Sequence, residues 1–163
     1  MQWDISMKHW YRDKRKIMET KKQVAYLIGS LRNPQVPQIA ASLRTQADLE
    51  VFDDWYAAGP EADDYWQKYE QSKSISYPCA LRSYAAQHVY QFDLYHLQRA
   101  DMGILILPAG KSGHLEFGYL IGRGKRGYIL FDREPERWDV MYNFATSVHF
   151  NLDSLVEAIK RDG

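Results

Sequence analysis

The stretch "MGILILPAGKSGHLEFGYLIGRGKRGYILFD" (102–132) decides how this chain is read. It opens on a continuous apolar run, MGILILP (102–108), of the kind a strand shows when both of its faces are buried. It closes on a second such run, GYILFD (127–132). Between them, residues 113–124 carry an apolar series, Leu115, Phe117, Tyr119, Leu120 and Ile121, expected to form a helix. Strand, helix and strand joined by short turns make a parallel βαβ unit. One residue does not fit that pattern. Glu116 places a carboxylate near the start of a mostly apolar helix.

Working outward, the same alternation continues. VAYLI (24–28) reads as a first strand ending at Gly29, and LEVFDD (49–54) as a second. NPQVPQIAASLRTQ between them reads as a helix, with Asn33 as its cap and Pro34 in its first turn. SVHF (147–150) is a weaker fifth strand, and NLDSLVEAIKR (151–161) a closing helix capped by Asn151. A long insert, 55–100, separates strands two and three. Its second half sets Leu81, Ala85, Val89 and Phe92 on one helical stripe. These elements predict an α/β fold, a Rossmann-like or flavodoxin-like doubly wound sheet of about five parallel strands, with a helical insert after strand two. Residues 1–23 form a basic N-terminal extension without apolar period, within which Met18 is a possible alternative start, and 24–163 one domain.

Composition narrows the function classes. The chain has 163 residues, enough for one domain with a core and too few for two. Its 21 basic and 21 acidic residues cancel, which argues against a partner that is polymeric nucleic acid. The single cysteine, Cys79, rules out an internal disulfide and fits a reducing compartment. No apolar run approaches the roughly 18 residues of a membrane span, and the N-terminus is not of signal-peptide type. The expectation is a cytoplasmic protein with no membrane partner. The histidines show no metal-ligand spacing, so no metal and no cofactor is expected. The acids of EADDYW (61–66) read as the first turn of a helix.

Ligands of open α/β sheets bind outside the carboxyl ends of the strands. Gly29, Ser30, Leu31, Arg32 and Asn33 follow strand one, and Asp53, Asp54, Trp55 and Tyr56 follow strand two. Gly110, Lys111, Ser112 and Gly113 follow strand three, and Asp132 follows strand four. GSLRN could cradle an anion, with Gly29 allowing close approach, Ser30 donating and Arg32 offering a fork of N–H groups. AGKSG lacks Walker A spacing. With Ser112 or Gly113 as cap, Glu116 would fall in the first helical turn, where the dipole favours its ionised form. Such a carboxylate beside a pocket could be a nucleophile.

Four segments in the same order, AYLIGSLRN, FDDWY, FDLYHLQRAD and GKSGHLEFGYLIGRGK, resemble those of the nucleoside 2-deoxyribosyltransferase family and the related 5′-nucleotide N-glycosidases. The likeness covers roughly residues 24–150, and the E-x-G-Y segment is its most specific part. It implies that Glu116 attacks C1′ of a 2′-deoxyribosyl group and releases the base. A free nucleobase (transfer) or water (hydrolysis) then resolves the ester. It implies that Asp93 assists proton transfer or orients the nucleophile, and that Tyr26 positions Glu116 or the sugar. Trp55 and Tyr56 could stack on the base, and Asp54 is a further substrate-binding candidate. Two positions depart from the transferase pattern. Gly110 stands where transferases often carry an acid, and Asp139, with Asn143 as a less fitting stand-in, replaces an Asn lent by a neighbouring subunit. Ser30, Arg32 and Ser112 could instead hold a 5′-phosphate, and Gly113 is a further substrate-binding candidate. The resemblance implies a small-molecule (deoxy)nucleoside or nucleotide substrate and a homo-oligomer with shared active sites. A 5′-monophosphate N-glycosidase is the alternative within this chemistry, and a nucleotide-binding sensor without turnover is the alternative outside it. The aromatic stretch 55–80 is read as a lid that favours transfer over hydrolysis.

Overall fold

The computed structural model describes residues 21–163, so most of the basic extension and Met18 lie outside the described residues. The described chain holds five strands: β1 (Val24–Ile28), β2 (Glu50–Phe52), β3 (Met102–Ile106), β4 (Arg126–Leu130) and β5 (Ser147–His149). They form one sheet in the order 2-1-3-4-5, every neighbouring pair parallel. Among the described residues six α-helices accompany them: α1 (Val36–Gln46), α2 (Ala62–Ser72), α3 (Tyr77–Ala80), α4 (Tyr84–Arg99), α5 (Lys111–Gly122) and α6 (Leu152–Asp162). No described helix is long and apolar enough to cross a membrane.

The strand residues alternate between two cores, one on each face of the sheet. Ala25, Leu27, Met102, Ile104, Ile106, Tyr128 and Leu130 pack with residues of α1 and α6. Val24, Tyr26, Ile28, Leu105 and Ile129 pack with Leu97 of α4 and with Phe117 and Leu120 of α5. Every residue of β1 and β3 is buried, which is why both read as unbroken apolar runs rather than as alternating ones.

Two glycines let the helix carrying Glu116 approach the sheet closely. Gly103 and Gly127 face each other in the β3–β4 register. A Cβ at Gly103 would lie 2.9 Å from Leu120 Cδ1, and one at Gly127 would lie 2.9 Å from both Phe117 and Ile121. Gly127→Ala therefore requires Phe117 and Ile121, or α5 with them, to shift. The expected result is a loss of about 1–3 kcal/mol in a urea melt, the usual range for overpacking a core.

Several expectations need correction. α1 starts at Val36 rather than at Pro34, because the Asn33 carboxamide accepts from Gln35 N–H in a tight turn and Pro37 takes the first helical turn. β2 spans only Glu50–Phe52. α5 begins two residues early, at Lys111 with Gly110 as its cap, so Glu116 lies in the second turn. The predicted stripe of the insert is not core: Leu81 (45%), Val89 (59%) and Phe92 (45%) are exposed, as is Ala85. Leu81 moreover falls outside α4. The helix is held instead by Leu97 and by Ser83, whose hydroxyl caps it and donates to the buried Glu70 of α2. Asn151 caps α6 as expected, accepting from Ser154 N–H at 2.9 Å.

Candidate active site

Three helix or strand positions converge on the face covered by α4 and α5. Tyr26 is the third residue of β1 and is almost fully buried, while Asp93 of α4 and Glu116 of α5 are half-buried. Their charges act on one another, which requires them to be close neighbours. Burial, then the Asp93 carboxylate, pushes Glu116 up to about 7. Burial pushes Asp93 up to about 6. Burial, then Glu116, then Asp93, drives the Tyr26 hydroxyl far above the ordinary phenol range. The expected dipole effect on Glu116 does not prevail, because the second turn is beyond its reach and desolvation dominates.

Coupled carboxyls of this kind titrate as a pair. Near neutral pH they hold roughly one proton between them or less, so one group can act as a carboxylate while the other acts as an acid. Tyr26 stays a hydroxyl donor at any working pH. The three together can support nucleophilic attack and protonation of a leaving group.

A separate cleft opens between the carboxyl ends of β1 and β3, the point where the strand order reverses and where such sheets bind ligands. Its volume is about 370 Å³, and it is walled by Ser30, Arg32, Asn33, Pro34, Gln35, Pro108, Ala109, Gly110 and Asp132. Glu116 is not in that wall. The two sites are nevertheless joined by covalent structure: Ser30 follows the strand that bears Tyr26, and Gly110 starts the helix that bears Glu116. The loop after β1 is a tight turn, with Asn33 N–H donating to Ser30 O at 2.9 Å and Arg32 N–H to Ser30 Oγ at 3.2 Å. Arg32 reaches outward and pairs with Asp64 of α2 at 2.9 Å, both exposed. Gln35 and Pro108 were not singled out from the sequence, since Gln35 lay inside an expected helix and Pro108 at the end of an expected strand.

The remaining sequence-predicted residues divide. Gly29 backs onto Trp55, whose indole would lie 3.5 Å from a Cβ there. Trp55 is half-buried and donates Nε1–H to Leu27 O at 2.8 Å, so its ring is fixed beside the β1 loop. Asp54 is exposed at the start of a 3-10 turn (Asp54–Ala58), while its neighbour Asp53 is taken by Arg44. Ser112 is exposed in the first turn of α5. Gly113 is buried, and a Cβ there would meet Ile28 at 3.1 Å, so it sets the helix-to-strand spacing. Asp139 and Asn143 lie on the β4–β5 connection, away from the carboxylate pair in sequence and both exposed. Asp139 caps the 3-10 helix Val140–Phe144 by accepting from Met141 N–H, and Asn143 donates to Val140 O. Asp101, which closes the FDLYHLQRAD segment, is structural: its carboxylate accepts from Val24 N–H at 2.8 Å.

An all-parallel five-stranded sheet of order 2-1-3-4-5 with helices on both faces belongs to the doubly wound, flavodoxin-like or Rossmann-like α/β class. Among solved structures, a CMP N-glycosidase of Clostridium botulinum, BcmB, has a similar fold, with a TM-score of 0.51. The match covers 86% of this chain and 100% of that one, at 12% sequence identity, a level that speaks for the fold. No protein-family model and no curated protein sequence matches this chain.

Proposed function

We propose that this protein breaks the N-glycosidic bond of a nucleoside 5′-monophosphate through a glycosyl ester on Glu116. The observation that carries the proposal is the Tyr26–Asp93–Glu116 cluster, two carboxyls and a hydroxyl, of which Tyr26 and Glu116 sit on elements whose ends run into the cleft at the β1–β3 switch point. BcmB, whose fold is similar, is a CMP N-glycosidase, which supports a reading as N-glycosidic bond cleavage. In the first half-reaction a Glu116 oxygen bonds to C1′ as the C1′–N bond breaks. The electron pair leaves with the base, and Asp93 supplies the proton that the base needs. Positive charge developing on the sugar favours the ionised form of Glu116, which moves the shared proton to Asp93. Water then attacks C1′, returns a proton to Asp93, and the ester electrons go back to Glu116. Tyr26 donates to Glu116 or to a sugar hydroxyl.

The phosphate would sit in the cleft against Ser30 and Arg32. A dianion competes well with Asp64 there, because an exposed ion pair contributes little. Arg32→Ala is expected to raise KM for the monophosphate about 10- to 100-fold, the loss of one or two charge-assisted hydrogen bonds. Turnover of the matching nucleoside would not change. Asp93→Asn is expected to lower kcat about 10²–10⁴-fold, and in the residual activity the acid limb moves to lower pH, since removing a neighbouring negative charge lets Glu116 ionise more easily.

The resemblance to deoxyribosyltransferases supports a second reading, in which a free base replaces water and the sugar is 2′-deoxyribose. The exposed face of α4, with Tyr84 97% exposed beside Val89 and Phe92, favours a homo-oligomer, as does the exposed group Trp138, Val140, Met141 and Phe144. A neighbour's Asp139 or Asn143 could reach the site in such an assembly. Product analysis separates the readings. Wild type is incubated with 2′-deoxynucleosides and with ribo- and deoxyribonucleoside 5′-monophosphates, each with and without acceptor base. Free base plus sugar 5-phosphate supports the hydrolase. New nucleosides that need the acceptor support the transferase. Binding without either product supports a sensor.

A further inference from the structure

His114 lies two residues before Glu116 and uses both of its ring nitrogens. Nδ1 is 2.8 Å from Gly110 O, and Nε2 is 3.0 Å from the Tyr142 hydroxyl. A carbonyl oxygen only accepts, so Nδ1 carries the hydrogen, and Nε2 pairs with the Tyr142 hydroxyl. The backbone N–H of His114 also donates to Gly110 O, at 3.3 Å, so one residue holds that carbonyl twice. On the other side, Tyr142 packs edge-on against Phe131 (centroids 5.7 Å apart), and Phe131 stacks on Phe150 (5.4 Å). Phe131 immediately precedes Asp132. Gly110 and Asp132 are walls of the same cleft, contributed by different loops.

We infer that His114 is a positioning residue that fixes the two rims of the cleft relative to one another. It clamps the Gly110 rim directly and the Asp132 rim through Tyr142. Its effect on turnover rests on the function proposed above, whereas its effect on the rims does not. A substrate held across rims that are already fixed loses less freedom on binding, so the clamp contributes to affinity rather than to the chemical step.

The test uses Tyr142→Phe, which removes only the hydroxyl, and His114→Asn, whose carboxamide keeps a donor for Gly110 but cannot reach Tyr142. Hydrogen exchange on the full chain is the first readout. Both variants are expected to speed exchange in 109–113 and in 132–139, with the sheet unchanged and the double variant no faster than either single one. Exchange unchanged in both segments, or additive effects, would overturn the inference. Kinetics is the second readout. Each variant is expected to raise KM about fivefold, the order of one hydrogen bond, with kcat within about twofold. A fall in kcat with KM unmoved would also overturn it. If wild type cleaves no nucleotide, the proposed function fails, and the exchange experiment alone still decides whether the clamp exists.

Discussion

Glu116→Gln is expected to reduce glycosidic cleavage by at least about 10³-fold while binding of a nucleoside monophosphate stays within a factor of roughly three. The amide keeps the shape of the side chain and one acceptor oxygen but cannot form an ester with C1′. The side chain projects from a helix seated tightly on the sheet by Gly103, Gly113 and Gly127, so a replacement of equal size leaves the cleft walls in place. The measurement is single-turnover base release beside calorimetric binding of the same substrate. A residual rate within tenfold of wild type would mean that another group attacks, and a matching loss of binding would mean that Glu116 holds the substrate instead.

The same substitution is expected to stabilise the fold, and the gain should depend on pH. Glu116 titrates at about 7 in the folded chain, above the ordinary carboxyl range. The folded state therefore binds this proton more tightly than the unfolded state. Below the ordinary carboxyl pKa the side chain is neutral in both states and costs nothing. As pH rises from there to about 7, the wild type loses stability, and above that the loss is complete. For a half-buried group the loss is on the order of 2 kcal/mol after allowing for solvent screening. Glutamine carries no charge to desolvate. Thermal melts should show Glu116→Gln more stable by roughly 5 °C above about pH 7.5, with the gap closing towards about pH 4. A gap independent of pH would show that the carboxylate is not desolvated. On the proposed function, the destabilising carboxylate would be stability traded for chemistry.

The sequence carried the fold because its central strands are buried on both faces. Runs such as VAYLI and MGILILP have no other comfortable place, and the alternation with helices leaves a parallel sheet. Helix boundaries were less legible. The start of α5 is set by Gly110, whose carbonyl is held by His114, and no local cap residue announces it. That two-residue shift removed Glu116 from the helix dipole and left burial and Asp93 in control. The stripe of the insert misled for a different reason. Apolar periodicity shows that a helix face needs covering, but not that its own chain covers it, and Val89 and Phe92 remain exposed.

Of the candidate site, the grouping of Tyr26, Asp93 and Glu116 followed from the family resemblance, since those positions are 67 and 23 residues apart along the chain. The cleft at Ser30, Arg32 and Gly110 followed from the rule that ligands bind beyond the strand ends. The clamp at His114 had no sequence signal. Its meaning depends on Tyr142, 28 residues away, reaching back from the β4–β5 connection.

The proposed mechanism stands or falls on a covalent glycosyl ester at Glu116, which mass spectrometry can detect. Wild-type protein is mixed with the substrate identified by product analysis, quenched in acid during the first turnover, and weighed intact and after proteolysis. The expected result is a mass increase equal to the transferred sugar, or sugar 5-phosphate, located on the peptide containing Glu116 and absent from Glu116→Gln. Base release by wild type with no adduct at any quench time, together with inverted configuration at the anomeric carbon of the product, would contradict it.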